Sequence, residues 1–225
     1  MANTISADVL AFLETLDHNN DRDWFNAHKS EFKKIEAEVK SIYANLFEML
    51  KKHDNIDSHK LFRIYRDVRF SKDKSPYKTH FGGSFHRKKP ELRGGYYLHI
   101  QPKGQSFVAV GFWEPNADDL HRIRKEFELD DTEIRSILSD RKFSSIWGGF
   151  VGEELKTAPK GFEKIHPAMD LIRKKQYIFT KSYLDKEVLS DGFLENVNSS
   201  FKVVRPFFDY MSEVLTTDLN GVSLI

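Results

Sequence analysis

The sequence predicts an α+β fold in a single domain spanning residues 1–225, and three features of its hydrophobic pattern support this prediction. Apolar side chains follow a helical period over residues 21–52, which indicates a long helix with one face packed on a sheet. The period changes to that of β-strands in the middle of the chain. Short links between these strands favour a mostly antiparallel meander over βαβ units.

The other elements follow in chain order. A first helix is predicted from Ser6 or Asp8 to about Leu16, and Asp21 is a suitable N-cap for the long helix. Strands are predicted at residues 61–70, 79–88, 95–101, 106–113 and 176–183. Helices are expected at residues 117–127, 131–140, 166–175 and 191–217, with a kink or split at Pro206. Glycines near residues 143–151 predict irregular structure there.

Composition excludes several classes of site. The chain has no cysteine, which excludes disulfides, thiolate metal sites and cysteine nucleophiles and fits a cytoplasmic location. It has no signal-peptide pattern and no run of about 20 apolar residues, so no membrane partner is expected. No dinucleotide or phosphate-loop motif occurs, so no cofactor is predicted. The oligomeric state is left open.

Charge is unevenly distributed along the chain. The net formal charge of +1 argues against a general nucleic-acid-binding protein. Residues 60–103, however, contain twelve Lys or Arg residues and only three acidic residues. A local excess of positive charge on a nearly neutral protein suits a small anionic ligand better than a long polyanion.

The functional signal is concentrated in residues 63–78. If this segment were a strand, Arg63, Asp67 and Arg69 would share one face, and Arg66 would lie on the other. Guanidinium groups match phosphate and carboxylate groups in bidentate geometry, so the segment predicts an anion-binding pocket. The pocket residues are predicted to be Arg63, Arg66, Asp67, Arg69, Lys72 and Lys78, with Tyr77, His99 and Lys160 at the rim.

Structural pairing is the alternative interpretation of the same residues. Arg and Asp on neighbouring strands also form ion pairs that only support the fold. His99 is the preferred acid–base candidate because an ordinary histidine pKa lies near neutral pH, although a structural histidine fits as well. His80 and His86 on one strand would be about 20 Å apart, so no metal site is predicted. No catalytic set is identified, and the existence of an enzyme activity is left open.

Further motifs accompany the basic segment, and with them the chain becomes similar to a known family. They are Asn19-Asn20-Asp21-Arg22-Asp23-Trp24-Phe25, Gly95-Tyr96-Tyr97-Leu98-His99-Ile100, Gly111-Phe112-Trp113-Glu114-Pro115, Leu155-Lys156-Thr157-Ala158-Pro159-Lys160-Gly161-Phe162 and His166-Pro167. Together they resemble the microbial family called domain of unknown function 2461, over nearly the whole chain. The resemblance implies a shared fold and carries over no catalytic residue.

Three functional hypotheses follow. The first is binding of a small phosphorylated or carboxylated ligand in the basic pocket, with or without catalysis. The second is nucleic-acid binding by residues 60–103, with Tyr65, Phe70 and Tyr77 as stacking surfaces. The third is a non-catalytic scaffold that holds a protein partner through the charged side of the long helix.

Overall fold

The computed structural model describes residues 4–225 and has the predicted α+β architecture. Its antiparallel sheet has the strand order β1-β2-β3-β4-β5. The strands are β1 Ile56–Leu61, β2 Phe81–Arg87, β3 Gly95–Ile100, β4 Ser106–Phe112 and β5 Tyr177–Tyr183. The helices of the described part are α1 Ala7–His18, α2 Arg22–Ala27, α3 Lys29–Leu50, α4 Ala117–Leu129, α5 Thr132–Ser139, α6 Arg141–Trp147, α7 Met169–Ile172, α8 Asp185–Val188, α9 Phe193–Val203 and α10 Arg205–Thr216.

The chain divides into two compact units. The first unit takes in the described residues up to Phe85 together with Tyr97–Val108 and Ser182–Ser199. The second unit consists of His86–Tyr96, Ala109–Lys181 and Ser200–Ile225. The boundaries between the units fall inside β2, β3, β4 and β5. The single domain over residues 1–225 therefore stays a prediction.

In the first unit, α3 packs on the sheet through its apolar face. The buried residues of that face are Phe32, Ile35, Val39, Ile42, Tyr43, Leu46 and Leu50. The ring of Tyr43 stacks on that of Phe85 with centroids 5.7 Å apart, and its hydroxyl donates to the carbonyl of Leu98 at 2.7 Å. Gly83 makes this approach possible, because a Cβ there would lie 2.5 Å from the Tyr43 ring and 2.6 Å from the carbonyl oxygen of Lys60.

The predicted long helix over residues 21–52 is two helices, α2 and α3. Asp21 caps α2 as predicted, since its side chain accepts from the backbone N–H of Trp24 at 2.8 Å. His28 separates the two helices with φ −99° and ψ 12°. Its ring Nδ1 lies 2.8 Å from the carbonyl of Trp24 and its backbone N–H donates to the same oxygen, so one acceptor serves two donors where the helix breaks.

The predicted strand at residues 61–70 is wrong. β1 lies at Ile56–Leu61, one strand length earlier, and residues 62–70 form no regular strand. Burial alternates from Arg63 to Arg69, but the segment pairs through an isolated bridge between Tyr65 and Tyr77. Phe70, which would share a face with the buried Ile64 on a strand, is 96% exposed. Arg69 of this segment pairs with Asp67, and Arg66 pairs with Asp73 further along the chain.

Two further differences concern helices. Residues 143–151, expected to be irregular, begin inside α6, because the side chain of Asp140 accepts from the backbone N–H groups of Lys142 and Phe143 and starts a helix. Gly148 ends it with φ 60°. The expected split at Pro206 is confirmed: α9 ends at Val203 and α10 begins at Arg205.

Within the described part of the chain, no helix is both long enough and apolar enough to cross a bilayer.

The close approach at Gly83 yields a stability prediction. Gly83→Ala places a methyl group against the Tyr43 ring and a backbone carbonyl, so we expect a loss of about 1–3 kcal/mol in the free energy of unfolding. Urea titration followed by tryptophan fluorescence measures it. Gly192→Ala is the matched control, since a Cβ there meets nothing within 4 Å. Equal stability of the two variants would contradict the close packing of α3 on β2.

Candidate functional site

Residues 63–78, called the basic loop below, lie between β1 and β2 and are closed at their base by backbone hydrogen bonds. The N–H of Arg66 donates to the carbonyl of Pro76 at 2.9 Å, and the N–H of Lys78 donates to the carbonyl of Ile64 at 2.7 Å. These bonds flank an isolated antiparallel bridge. The two ends of the segment are therefore held together, as in a compact surface loop.

Two contacts tie the base of the basic loop to the segment around α2. The amide of Asn20 donates from Nδ2 to the carbonyl of Tyr77 at 3.0 Å and accepts at Oδ1 from the N–H of the same residue at 3.1 Å. The Tyr77 ring stacks on that of Phe25 with centroids 3.9 Å apart. Because one side-chain amide satisfies both backbone groups of Tyr77, Asn20 fixes the position of Tyr77 and of the following Lys78.

The tip of the basic loop is held by ion pairs between its own residues. Arg66 pairs with Asp73, which also accepts from the hydroxyl and backbone N–H of Ser75. Arg69 pairs with Asp67 at 2.6 Å and is 76% exposed. These guanidinium groups hold the pKa of both carboxyls below their usual range. Two arginines of the predicted anion site are thus neutralised inside the loop.

A cavity of about 460 Å³ opens beside the basic loop. Its lining holds two cationic and three carboxylate side chains, so it is polar and close to balanced in charge. The lining residues are Asp17, Asn20, Arg66, Asp67, Asp73, Ser75, Tyr77, Lys78, Thr79 and His80. Within residues 4–225, no group of three or more His, Asp or Glu side chains is arranged to hold a metal ion.

Lys78 is the cation of this lining that forms no ion pair with any residue of the described chain. Its ammonium group lies 5.7 Å from the centroid of the Phe62 ring. Burial and, to a smaller extent, the positive charge of Arg63 lower the pKa of Lys78. Both effects disfavour the cationic form, and a negative group next to the ammonium would offset both.

A hydrogen-bonded series of side chains begins on β3. The Tyr97 hydroxyl lies 3.0 Å from Nδ1 of His99, and Nε2 of His99 lies 2.7 Å from Oε1 of Gln101. Nε2 of Gln101 donates to Gln105, so its oxygen faces His99 and accepts. Nε2 of His99 therefore carries the proton, and Nδ1 accepts from Tyr97. Burial lowers the pKa of His99 and raises that of Tyr97 to about 12.

His80 connects this series to the cavity. Its ring lies on the ring of His99 with centroids 4.2 Å apart, and Phe107 also stacks on His99 at 4.5 Å. Burial, then the neighbouring His99, Lys78 and Arg66, lower the pKa of His80 to about 4. The imidazole in the cavity wall is consequently uncharged at neutral pH.

The structure brings together part of the predicted site. The members that line the cavity are Arg66, Asp67, Tyr77 and Lys78. Arg63 acts on Lys78 through its charge, and His99 supports the cavity residue His80. Arg63 and His99 nevertheless lie outside the lining, as do the other three predicted members: Arg69 and Lys72, exposed on the basic loop, and Lys160, an exposed residue of the second unit.

Six residues of the cavity lining are missing from the predicted set: Asp17, Asn20, Asp73, Ser75, Thr79 and His80. Asn20 belongs to the motif at residues 19–25, which was a detectable signal although its partner lies 57 residues away. His80 follows Lys78 by two residues, which was a detectable signal, whereas its contact with the ring of His99 depends on the tertiary structure.

Comparison with known proteins agrees with the motifs in the sequence. A family model described as "Conserved hypothetical protein (DUF2461)" matches residues 8–210. The chain belongs to this family. The matched range contains every residue of the cavity lining, and the resemblance expected from the motifs is confirmed. No curated protein and no solved structure matches the chain.

The Asn20 contacts predict how the loop is anchored. Asn20→Ala removes both hydrogen bonds to Tyr77, and we expect a loss of about 1–3 kcal/mol with faster amide exchange at Tyr77 and Lys78. Hydrogen–deuterium exchange with mass spectrometry measures this. Asn19→Ala is the matched control, because the Asn19 side chain bonds only to the carbonyl of Thr15 in its own helix. Unchanged exchange in Asn20→Ala would mean that the loop is anchored without it.

His80 predicts a pH dependence of stability. Its pKa is about 4 in the folded protein against an ordinary 6.5, so between these values the unfolded chain binds the additional proton. The stabilisation by neutral His80 is complete above pH 6.5 and is lost as the pH falls towards 4. We expect His80→Asn to show a shallower decline in the free energy of unfolding over this window, by urea titration. His121→Asn, outside the cavity lining, should keep the wild-type decline, and a parallel curve for His80→Asn would refute the assignment.

Proposed function

We propose that the protein binds a small phosphorylated or carboxylated molecule in the cavity beside the basic loop. The observation that carries the proposal is the environment of Lys78, a partly buried ammonium group in the cavity wall without a counter-ion in the described chain. A cation in such a place is disfavoured by desolvation unless a negative charge accompanies it. An anionic group of the ligand would supply that charge.

The rest of the lining supports a small ligand with several polar groups. The hydroxyl of Thr79, the carboxylate of Asp17 and the amide of Asn20 offer hydrogen bonds to hydroxyl or amino groups. A volume of about 460 Å³ lies in the usual range for small-molecule sites. The three carboxylates of the lining disfavour a polyanion and favour a molecule with a single anionic group and neutral polar groups.

Arg66 has a different part in this proposal from the one predicted by the sequence. Its guanidinium group is already paired with Asp73 through Nη1, and Nη2 lies 3.5 Å from the hydroxyl of Ser71, so it keeps the loop tip in place and adds positive potential. Arg63 lies close enough to Lys78 to lower its pKa, and it adds a second positive charge at the same end. We therefore propose that the anionic group of the ligand binds at Lys78, which feels the charge of Arg63 and itself acts on His80.

Nucleic-acid binding is a second candidate, favoured by one observation. Phe70 is 96% exposed at the tip of the basic loop, next to the exposed Arg69 and Lys72, which is a suitable stacking surface for a base. Tyr65 is 47% exposed and could contribute, whereas Tyr77 is 4% exposed and stacked on Phe25, which removes it from the predicted set. The cytoplasmic location expected from the composition stays a prediction.

A thermal-shift screen distinguishes the two candidates. Nucleotides, sugar phosphates, hydroxy acids, dicarboxylates and short oligonucleotides are each tested at low and high salt. A ligand at 100 times its dissociation constant adds about 2.7 kcal/mol, which appears as a shift of several degrees in a domain of this size. We expect a salt-tolerant small-molecule hit that Lys78→Gln abolishes and Lys72→Gln retains.

Two other results of the screen would contradict binding of the anion in the cavity or favour nucleic-acid binding. A hit that Lys78→Gln leaves unchanged would show that the cavity is not the anion site. A steep loss of oligonucleotide binding with salt, together with sensitivity to Phe70→Ala, would support the second candidate instead.

A further inference from the structure

The His80 side chain has two ring nitrogens that no residue of the described chain engages in a hydrogen bond. Residues 4–225 contain several fully buried side-chain nitrogen and oxygen atoms without a hydrogen-bond partner, and neither ring nitrogen of His80 is one of them. Both nitrogens are therefore at least partly exposed, and His80 itself lines the cavity. A neutral imidazole has one lone pair and one N–H, and at His80 the described chain uses neither.

The ring of His80 is held in place by its neighbours. It lies on His99, whose two nitrogens are both occupied by Tyr97 and Gln101. His99 is thus locked in one tautomer and one orientation, and it serves as a fixed platform for His80. The acid–base role that the sequence suggests for His99 fits His80 better, because both nitrogens of His99 are already used within the protein.

The charges around His80 determine when it becomes a stronger base. Lys78, Arg66 and His99 disfavour its protonation, and the carboxylates of the lining are those of Asp17, Asp67 and Asp73. Asp67 and Asp73 are each paired with an arginine of the basic loop. An anion bound at Lys78 would offset the positive charges that act on His80 and raise its proton affinity.

We infer that His80 is the proton-accepting residue of the cavity, which takes a proton from a hydroxyl group or water molecule held next to the anionic group at Lys78. In this step the O–H bond breaks, its electron pair stays on oxygen, and the proton joins the free lone pair of the imidazole. The resulting imidazolium lies beside the bound anion, which stabilises it. The inference rests on the proposed anion site and assigns its ligand class as a hydroxylated phosphate or hydroxy carboxylate.

Alkylation tests the accessible lone pair and the anion site together. In bromoacetate, an imidazole nitrogen attacks the methylene carbon, the C–N bond forms, and bromide leaves with the bonding pair. Bromoacetamide is the neutral match, and the chain has no cysteine to compete. Peptide mapping gives the alkylation rate of His80 relative to that of His121. We expect this relative rate to be roughly fivefold higher with bromoacetate than with bromoacetamide, because one unit charge acts at close range.

Two controls distinguish the anion site at Lys78 from the proton-accepting role of His80. Lys78→Gln should remove the preference for bromoacetate, and sulfate should protect His80. Equal rates for the two reagents would overturn the anion site and, with it, proton transfer beside an anion. Modification of His121 with none at His80 would overturn the proton-accepting role alone, because it would show that the lone pair is not accessible.

Titration by nuclear magnetic resonance provides the second readout. Sulfate is the probe because it does not itself titrate in the range of histidine. We expect saturating sulfate to raise the pKa of His80 from about 4 by at least about one unit, with His80→Asn identifying the signal. If sulfate perturbs the signals of Lys78 but leaves the pKa of His80 unchanged, this inference is wrong and the anion site is still supported. A response at neither residue would overturn both, as would an equal shift of every histidine, which indicates ionic screening.

Discussion

The contact of Tyr43 with Gly83 is the constraint on which the arrangement of the first unit depends. The tyrosine ring occupies the space that a side chain at residue 83 would need, and its hydroxyl bonds to β3. This contact sets α3 against one face of the sheet. Because side chains alternate along a strand, Leu98 and Ile100 are buried on that side, while Tyr97 and His99 are placed on the other. The polar series next to the cavity thus depends on a packing contact on the opposite face.

The basic loop illustrates how charge density decides between regular and irregular structure. A strand that carried three arginines and an aspartate would need partners on both faces, and the sheet offers none there. The segment instead supplies its own acids, Asp67 and Asp73, and turns back on itself to reach them. With those pairs formed, Lys78 is the cation of the cavity lining that has no ion pair in the described chain, at the point where the loop returns to β2.

The candidate site combines charged side chains with neutral polar ones. Lys78 lies in the cavity lining, whereas His80 in the lining and His99 and Tyr97 next to it are uncharged polar groups, because burial disfavours their ionised forms. The positive charges of Lys78 and Arg66 add to the effect of burial in keeping His80 unprotonated.

The sequence by itself determined the α+β class, the strands from β2 onwards, the Asp21 cap, the break at Pro206 and the segment that borders the cavity, because each depends on local periodicity or local chemistry. Tertiary structure alone decided that residues 62–70 form a loop, that Arg66 and Arg69 are neutralised, that Asn20 bonds to Tyr77 and that the ring of His80 lies on that of His99. These facts depend on which distant groups meet, and an ion pair or ring stack is selected by three-dimensional proximity rather than by spacing along the chain.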